Sequence, residues 1–177
     1  VTVAMPPKGL PLEEAQTICN ERWGEQCILF PNTEQGERDM LEAFLDLIED
    51  ADVHSGWNSE GYDVPYTVNR ISRILSKDDT RRFCLWQQLP KKREFEKFGK
   101  TSETYDTVGR VHMDYLNLYR KYTYEERHSF KLDAIGEYEV GENKTPYEGT
   151  LDQLYNNDFE KFIEYNRQDV ALLDKLD

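Results

Sequence analysis

Apolar residues recur at intervals of three or four in several segments of the chain, and short continuous apolar runs separate these segments. The first pattern predicts amphipathic helices and the second predicts strands. The predicted helices cover residues 11–21, about 32–49, 65–74, a stretch from about 114, residues 132–140 and a last stretch that begins at residue 157 or 158. Because strands at residues 27–30, 53–57 and 108–113 alternate with these helices, the predicted fold class is α/β.

Four local predictions add detail to this fold class. Residues 88–108 predict a hairpin around Gly99. Asn32 and Gln35 resemble a capping box at the start of the second helix, and Gly141 is the predicted stop of the 132–140 helix. The 53–57 strand, which precedes the turn at residues 58–61, is predicted to be buried.

Composition indicates one ordered globular domain. The chain has 177 residues, of which 38% are hydrophobic, and it contains no repeat or flexible linker. No apolar run approaches the roughly eighteen residues of a membrane span, and the N-terminal residues lack the grading of a secretory signal, so we predict a cytosolic protein without a membrane partner. Three cysteines without a C-x-x-C pair predict reduced thiols. The missing initiator Met and the unfinished last helix predict a piece of a longer polypeptide.

Charge is distributed unevenly along the chain. The net charge is −13, yet residues 77–131 contain thirteen Lys or Arg and nine Asp or Glu, a local net charge of +4. Basic residues from Arg81 to Arg110 alternate with aromatic rings there, a mixture that suits the flank of a nucleic-acid site. The alternative is a solvated hairpin whose exposed face carries charge.

An acidic residue interrupts the apolar stripe of the last predicted helix, which consists of Phe162, Tyr165, Asp169, Leu172, Leu173 and Leu176. A desolvated carboxylate protonates, pairs with a cation or binds a metal, since its isolated charge is costly to bury. Tyr165 precedes Asp169 by one turn, so a hydroxyl and a carboxylate share one face, which suits the orientation of a metal-bound water. The alternative is an ion pair of Asp169 with Arg167 or a neighbouring helix.

A second polar group follows the 53–57 strand. Asn58 and Asp63 lie beyond the carboxyl end of that strand, where α/β sheets place their ligand sites. Asp63 also lies beside the positive end of the next helix, so a capping role is the alternative. Asp114 and Asp133 are predicted to be helix caps.

The two polar groups resemble motifs of family B DNA polymerases. The segment Asn58-Ser59-Glu60-Gly61-Tyr62-Asp63 resembles the second exonuclease motif of that family, and Tyr165-Asn166-Arg167-Gln168-Asp169 resembles the third, Tyr-x-x-x-Asp. The sequence between the two motifs is also similar to that of the family, and it contains Asp114-Tyr115 and Leu132-Asp133-Ala134-Ile135 in the same order as the family does. The similarity is strongest to replicative polymerases of T-even-type bacteriophages and extends from about residue 28 to the end.

The resemblance implies a 3′–5′ proofreading exonuclease with a ribonuclease H-like fold, a mixed sheet flanked by helices. It implies two divalent ions, Mg²⁺ or Mn²⁺, with Asp63 and Asp169 among their ligands and Tyr165 orienting the attacking water. Asn58 and Tyr62 would contact the substrate strand, and the family more often has Phe where Tyr62 stands. By the same analogy Lys144 would approach the scissile phosphate, and a surface lysine is its alternative. The implied partners are the 3′ end of single-stranded DNA and the rest of the polymerase, in the cytoplasm of an infected bacterium.

One motif of the family is missing. Its first motif, Asp-x-Glu on an N-terminal strand, does not occur upstream of Asn58, so we expect the chain to lack the first strands of the domain and to be inactive or weakly active alone. The alternative functions are a non-catalytic module that binds single-stranded DNA or docks within the polymerase, and a free-standing nuclease of the same metal class.

Overall fold

A computed structural model describes residues 1–97, 99–142 and 146–176, without the side chains of residues 97 and 100. The helices in these ranges are α1 (Leu12–Trp23), α2 (Glu34–Leu47), α3 (Asp63–Ile74), α4 (Tyr115–Tyr122), α5 (Leu132–Val140), α6 (Leu151–Asn157) and α7 (Phe159–Leu176). The strands are β1 (Thr2–Ala4), β2 (Cys27–Leu29), β3 (Val53–Gly56), β4 (Lys91–Lys97), β5 (Lys100–Asp106) and β6 (Val111–Asp114). The α/β class is confirmed. No helix among the described residues is long and apolar enough to cross a membrane.

The strands form small paired sheets. Strands β1 and β2 are parallel, β3 and β6 are parallel, and β4 and β5 form the antiparallel hairpin that the sequence predicts. In the β3–β6 pair Gly56 lies opposite Asp114, so both strands end at the same edge. This register brings the residue that ends β6 next to the turn that follows β3.

The chain divides into two compact units. The first unit comprises Val1–Ala43 and His128–Asp177. Its core is built by residues of α1, β2 and α7, namely Ala15, Cys19, Cys27, Leu29, Phe159 and Ile163. Burying such side chains stabilises a fold by roughly 1.5–3 kcal/mol for each large aliphatic or aromatic group.

The second unit comprises Phe44–Arg127. The buried face of α3 consists of Val64, Val68 and Ile71, a spacing of three and four residues that follows from the helical period. Thr80 and Phe83 are buried in a short 3₁₀ helix, Asp79–Phe83. This unit contains the β3–β6 pair and the hairpin, and therefore holds the candidate motif at residues 58–63.

Most predicted elements are confirmed. Helix α1 begins after Pro11 and is followed by Gly24 in a positive-φ conformation. Helix α5 ends at Gly141, whose φ of 70° is the left-handed geometry that glycine adopts without steric cost. Asp158 caps α7 by accepting a hydrogen bond from the Lys161 N–H at 3.0 Å.

Two predictions were wrong. Asn32 does not cap α2, because its amide donates to the Pro6 carbonyl, and the Thr33 hydroxyl instead accepts from the Gly36 N–H at 3.0 Å. Strand β3 is not buried as a whole, since Val53 is 49% exposed and β6 is its only neighbour among the described strands. Helix α6 was missed entirely.

Candidate active site

The turn after β3 is folded tightly at residues 56–61. Asn58 adopts a φ of 60°, which asparagine tolerates better than most residues, and its carbonyl accepts from the Gly61 N–H at 3.1 Å. Ser59 folds back under the strand, so a Cβ on Gly56 would lie 2.7 Å from the Ser59 Cβ. Glycine at position 56 is therefore required for this close approach.

Buried polar contacts hold the turn against β6. Ser59 is 4% exposed, and its Oγ lies 2.9 Å from His112 Nε2. The carboxylate of Asp114 accepts from the Asn58 N–H at 3.1 Å and from the Glu60 N–H at 3.0 Å. The predicted capping role of Asp114 is also confirmed, because it accepts from the first turn of α4.

Asp63 occupies the first position of α3, where the helix dipole favours a negative charge. The residue is exposed at its surface, but surrounding protein atoms partly desolvate its carboxyl group, and this effect raises its pKa above the ordinary value. The negative charge of Asp114 adds to the increase in pKa, while a hydrogen bond from its own backbone N–H and the nearby His112 oppose it. A cation near Asp63 would favour its ionised form.

Two exposed aromatic rings lie beside Asp63. Tyr62 precedes α3 and Tyr66 lies one turn further along, and their rings are parallel within 6° with centroids 6.0 Å apart. They are 65% and 58% exposed, respectively. Exposed parallel rings offer a face on which a nucleic-acid base can stack. The sequence prediction included Tyr62 but missed Tyr66, although the i, i+4 spacing of two tyrosines was a usable signal.

Two of the described basic side chains of the hairpin are paired with acids. Arg93 binds Glu60 at 2.5 Å and Asp106 at 2.9 Å, and Lys92 binds Glu103 at 2.7 Å. These ion pairs favour the prediction of a charged solvated face over that of a phosphate-binding flank for this part of the chain.

Arg110 does not belong to any exposed basic surface. Its side chain is 7% exposed and donates to the carbonyl oxygens of Ile48 at 2.7 Å and Glu49 at 3.1 Å, and also to that of Ala51. The Arg110 side chain therefore binds backbone carbonyls that follow the C-terminal end of α2. The sequence prediction that included Arg110 among the candidate nucleic-acid contacts was wrong.

In the first unit, α7 carries Tyr165 and Asp169 one turn apart, both half-buried. The Tyr147 ring meets the Tyr165 ring edge to face. The Oδ1 atom of Asp169 is buried. Arg167, the alternative ion-pair partner, instead donates to Thr2 Oγ1 and to Gln26 Oε1, each at 3.0 Å.

The predicted site residues thus fall in two groups. Asn58, Tyr62 and Asp63 lie together around the β3–α3 turn, and Tyr165 and Asp169 lie together on α7. Lys144 lies outside the described residues. Within the described ranges, no cluster of three or more His, Cys, Asp or Glu side chains could hold a metal ion.

Comparison with known proteins assigns the chain to a class. A sequence model described as DNA polymerase family B, exonuclease domain, matches residues 12–135. This range is more than half of the chain, so the chain belongs to that family. The match includes Asn58, Tyr62 and Asp63, and it ends before Tyr165 and Asp169.

Individual relatives agree with this assignment. The chain is 34% identical over 143 residues to the DNA-directed DNA polymerase of Enterobacteria phage T4 and 28% identical over 143 residues to that of Escherichia phage RB69. It is 30% identical over 148 residues to the DNA polymerase of Autographa californica nuclear polyhedrosis virus. Each alignment covers 80% of this chain but 15–16% of the relative, so the chain spans about one sixth of these polymerases.

Proposed function

We propose that this chain is part of the 3′–5′ proofreading exonuclease domain of a longer family B DNA polymerase, with a ribonuclease H-like fold. The observation that carries the proposal is the β3–α3 turn: it holds the motif from Asn58 to Asp63, and it lies inside the family match. The substrate is a single-stranded DNA 3′ end, and the reaction is hydrolysis of its last phosphodiester bond. The remainder of the polymerase is the second partner, in the cytoplasm of an infected host cell.

The donor chemistry fits a divalent metal. Mg²⁺ and Mn²⁺ prefer carboxylate oxygens, and Asp63 and Asp169 each supply such a group that is partly withdrawn from water. When bound, two divalent ions would stabilise the attacking and leaving oxygens of the displacement. Two aspartates are an incomplete ligand set, so we propose that the Asp-x-Glu acids of the first motif lie outside this chain and that the chain alone is inactive or weakly active.

The other site residues would bind substrate and position water. The Tyr165 hydroxyl holds the attacking water at the scissile phosphate, and the edge contact with Tyr147 fixes the plane of its ring. Asn58 hydrogen-bonds the substrate strand, and the exposed Tyr62 ring stacks on a base near the 3′ end. Lys144 is proposed to approach the same phosphate.

A non-catalytic module is the second candidate. The observation that favours it is the absence of Asp-x-Glu upstream of Asn58, which leaves this chain without two acids of the family's metal site. Such a module would retain the exposed Tyr62 and Tyr66 rings and bind single-stranded DNA without cutting it.

Titration with Mn²⁺ tests the metal ligands in the chain as it stands. We expect weak binding that Asp169→Ala and Asp63→Ala each abolish. The matched controls are Asp174→Ala, an exposed acid on the same helix as Asp169, and Asp50→Ala, an exposed acid in the same unit as Asp63. Equal affinity in the site variants and the controls would reject the ligand assignment.

A further inference from the structure

The side chain of Asp114 forms more hydrogen bonds than a helix cap requires. We propose that Asp114 is a positioning residue, which fixes the β3–α3 turn and thereby places Asn58 and Asp63. A capping side chain needs one oxygen that accepts from the first turn of its helix, and serine or asparagine supplies that oxygen as well as aspartate does. Asp114 is 6% exposed and uses both of its oxygens.

The two carboxylate oxygens have different partners. Oδ1 accepts from the Leu116 N–H at 3.0 Å, which is the capping bond, and also from the Asn58 N–H at 3.1 Å. Oδ2 accepts from the Glu60 N–H at 3.0 Å. One carboxylate therefore joins the start of α4 to both ends of a three-residue turn that is 54 to 56 positions away in sequence.

The turn needs such a restraint because its backbone conformation is not the intrinsically preferred one. The positive φ of Asn58 is uncommon outside glycine, and the turn amides point inward to the carboxylate instead of to water. Hydrogen bonds from N–H groups to an ionised carboxylate are about twice as strong as neutral ones, so they can hold this conformation. Without them, the Asn58 and Glu60 amides would lose their partner at a partly buried site.

The Glu60 side chain provides a second connection. Its Oε1 binds Arg93 of the hairpin, and its Oε2 accepts from the Asn117 side chain of α4 at 2.8 Å. The contact to Asn117 depends on α4 and the turn staying in register, which is what Asp114 fixes. The turn is thus tied to α4 through both the backbone and a side chain of Glu60.

The catalytic consequence rests on the proposed function. If Asn58 holds the substrate strand and Asp63 a metal, a displacement of about 1 Å at the turn can lower the rate by roughly a hundredfold. We assign Asp114 no contact with substrate or metal, since it is 6% exposed and both of its oxygens accept from backbone N–H groups.

Hydrogen exchange tests the positioning role without metal or DNA. In the unaltered chain, we expect the amides of Asn58 and Glu60 to be protected. Asp114→Asn keeps an oxygen for the cap but places an NH₂ group against one of the turn amides. Asp114→Ser also keeps the cap, but its side chain is too short to reach the turn. We expect exchange to become roughly ten- to hundredfold faster at Asn58 and Glu60 in Asp114→Ser, and at Glu60 in Asp114→Asn. The Leu116 amide should stay protected.

The Ile71 amide, fully buried in α3, reports whether the unit remains folded. Unprotected amides at Asn58 and Glu60 in the unaltered chain would overturn the proposal even if every variant unfolded. Unchanged exchange at both amides in folded variants would also overturn it.

A second experiment measures exonuclease activity in a version of the chain that is extended upstream to include the Asp-x-Glu motif. We expect Asp114→Ser to lower kcat for nucleotide release at least tenfold while Ile71 stays protected. Faster exchange at the turn with an unchanged kcat would mean that Asp114 holds the turn without positioning reacting groups. If the unaltered extended version is inactive, the proposed function fails, whereas the exchange result still decides whether Asp114 holds the turn.

Discussion

The ring of Tyr147 meets the ring of Tyr165 edge to face, with centroids 5.2 Å apart and ring planes at 86° to each other. This arrangement places the positive edge of one ring against the negative face of the other, and such pairs contribute about 0.5–1.5 kcal/mol beyond the area they bury. The contact restrains the ring of Tyr165, whose hydroxyl we propose orients the attacking water. Tyr147 lies in a segment without helical or strand periodicity, so the sequence alone gave no reason to select it.

Removing the Tyr147 ring should therefore impair Tyr165 without removing it. We expect Tyr147→Ala to lower the exonuclease rate of the upstream-extended chain about tenfold, because a ring free to rotate holds the water less often in the reactive position. Tyr147→Phe keeps the edge contact and should retain the rate. Tyr138→Ala, which removes a 60% exposed ring of the same unit, is the control. A loss in Tyr147→Phe equal to that in Tyr147→Ala would assign the effect to the hydroxyl.

The exposed Tyr62 and Tyr66 rings should contribute to the binding of single-stranded DNA. Stacking of one base on an aromatic side chain is worth about 1–3 kcal/mol, so Tyr62→Ala should weaken binding of a short oligothymidine by roughly five- to a hundredfold. Tyr62→Phe keeps the ring and should bind normally. Fluorescence anisotropy measures the change, with Tyr124→Ala as control, since that ring is 95% exposed in the same unit. If Tyr62→Ala and Tyr124→Ala have equal affinities, the rings are no binding surface.

Burial, together with the charges of Arg110 and His112, lowers the pKa of His54 to about 4. The ring packs against Phe83 with centroids 5.0 Å apart, and neither ring nitrogen has a hydrogen-bond partner among the described residues. The unfolded chain takes up a proton at the ordinary pKa of 6.5, so it binds more protons than the folded chain between pH 6.5 and 4. Stability must therefore fall as the pH falls through this window.

Because the ring is only partly withdrawn from solvent, the loss should amount to about 1–2 kcal/mol in the free energy of unfolding at pH 4. His54→Phe replaces the ring by one that cannot be protonated, so this variant should lose less stability between pH 6.5 and 4 than the unaltered chain. Urea unfolding of both chains at pH 6.5 and at pH 4 measures how much stability each chain loses. Carboxylates titrate in both chains, so their contribution cancels when the two losses are compared. The exposed His128→Asn variant should behave like the unaltered chain. The same acid sensitivity in His54→Phe would contradict the account of this residue.

Arg110 should be a stabilising residue of the second unit. Its guanidinium donates to carbonyl oxygens just beyond the end of α2, where the helix dipole is negative, and the Ile48 carbonyl also accepts from the Ala51 N–H. Arg110→Met keeps the aliphatic stem but removes the guanidinium from these carbonyls, and we expect a loss of about 1–3 kcal/mol in urea unfolding. Arg120→Met, at an exposed position of α4, should cost less than about 0.5 kcal/mol. Equal losses in the two variants would show that the contacts of Arg110 with these carbonyls do not stabilise the unit.

The sequence predicted correctly those elements whose structure depends on residues within or next to the element. Helix α1 between Pro11 and Gly24, the β4–β5 hairpin and the end of α5 at Gly141 all follow from residues within or beside the element. Helix α6 was missed because its seven residues are too few for a hydrophobic period, although Thr150 and Gln153 form a capping box in front of it. Asn32 was misassigned because a tertiary contact to Pro6 took its side chain.

The candidate site could be predicted only as far as its motifs. The resemblance singled out Asn58 with Asp63 and Tyr165 with Asp169 as candidates, and Asp114 could be predicted as a cap. Its bonds to Asn58 and Glu60 depend on the pairing of β3 with β6, and no local pattern encodes that register. The paired state of Arg93 and the burial of Arg110 likewise depend on partners distant in sequence.

The central claim is that this chain is part of a proofreading exonuclease whose metal ligands include Asp169. Release of nucleotides from 3′-labelled single-stranded DNA with Mg²⁺ or Mn²⁺ tests it most directly, with the chain as it stands, the upstream-extended version and Asp169→Ala in that version. We predict rapid release from the 3′ end by the extended version, little or none by the chain alone, and a loss of at least a thousandfold in Asp169→Ala. An extended version that binds the DNA without releasing nucleotides, or one that cuts equally well with Asp169→Ala, would contradict the account.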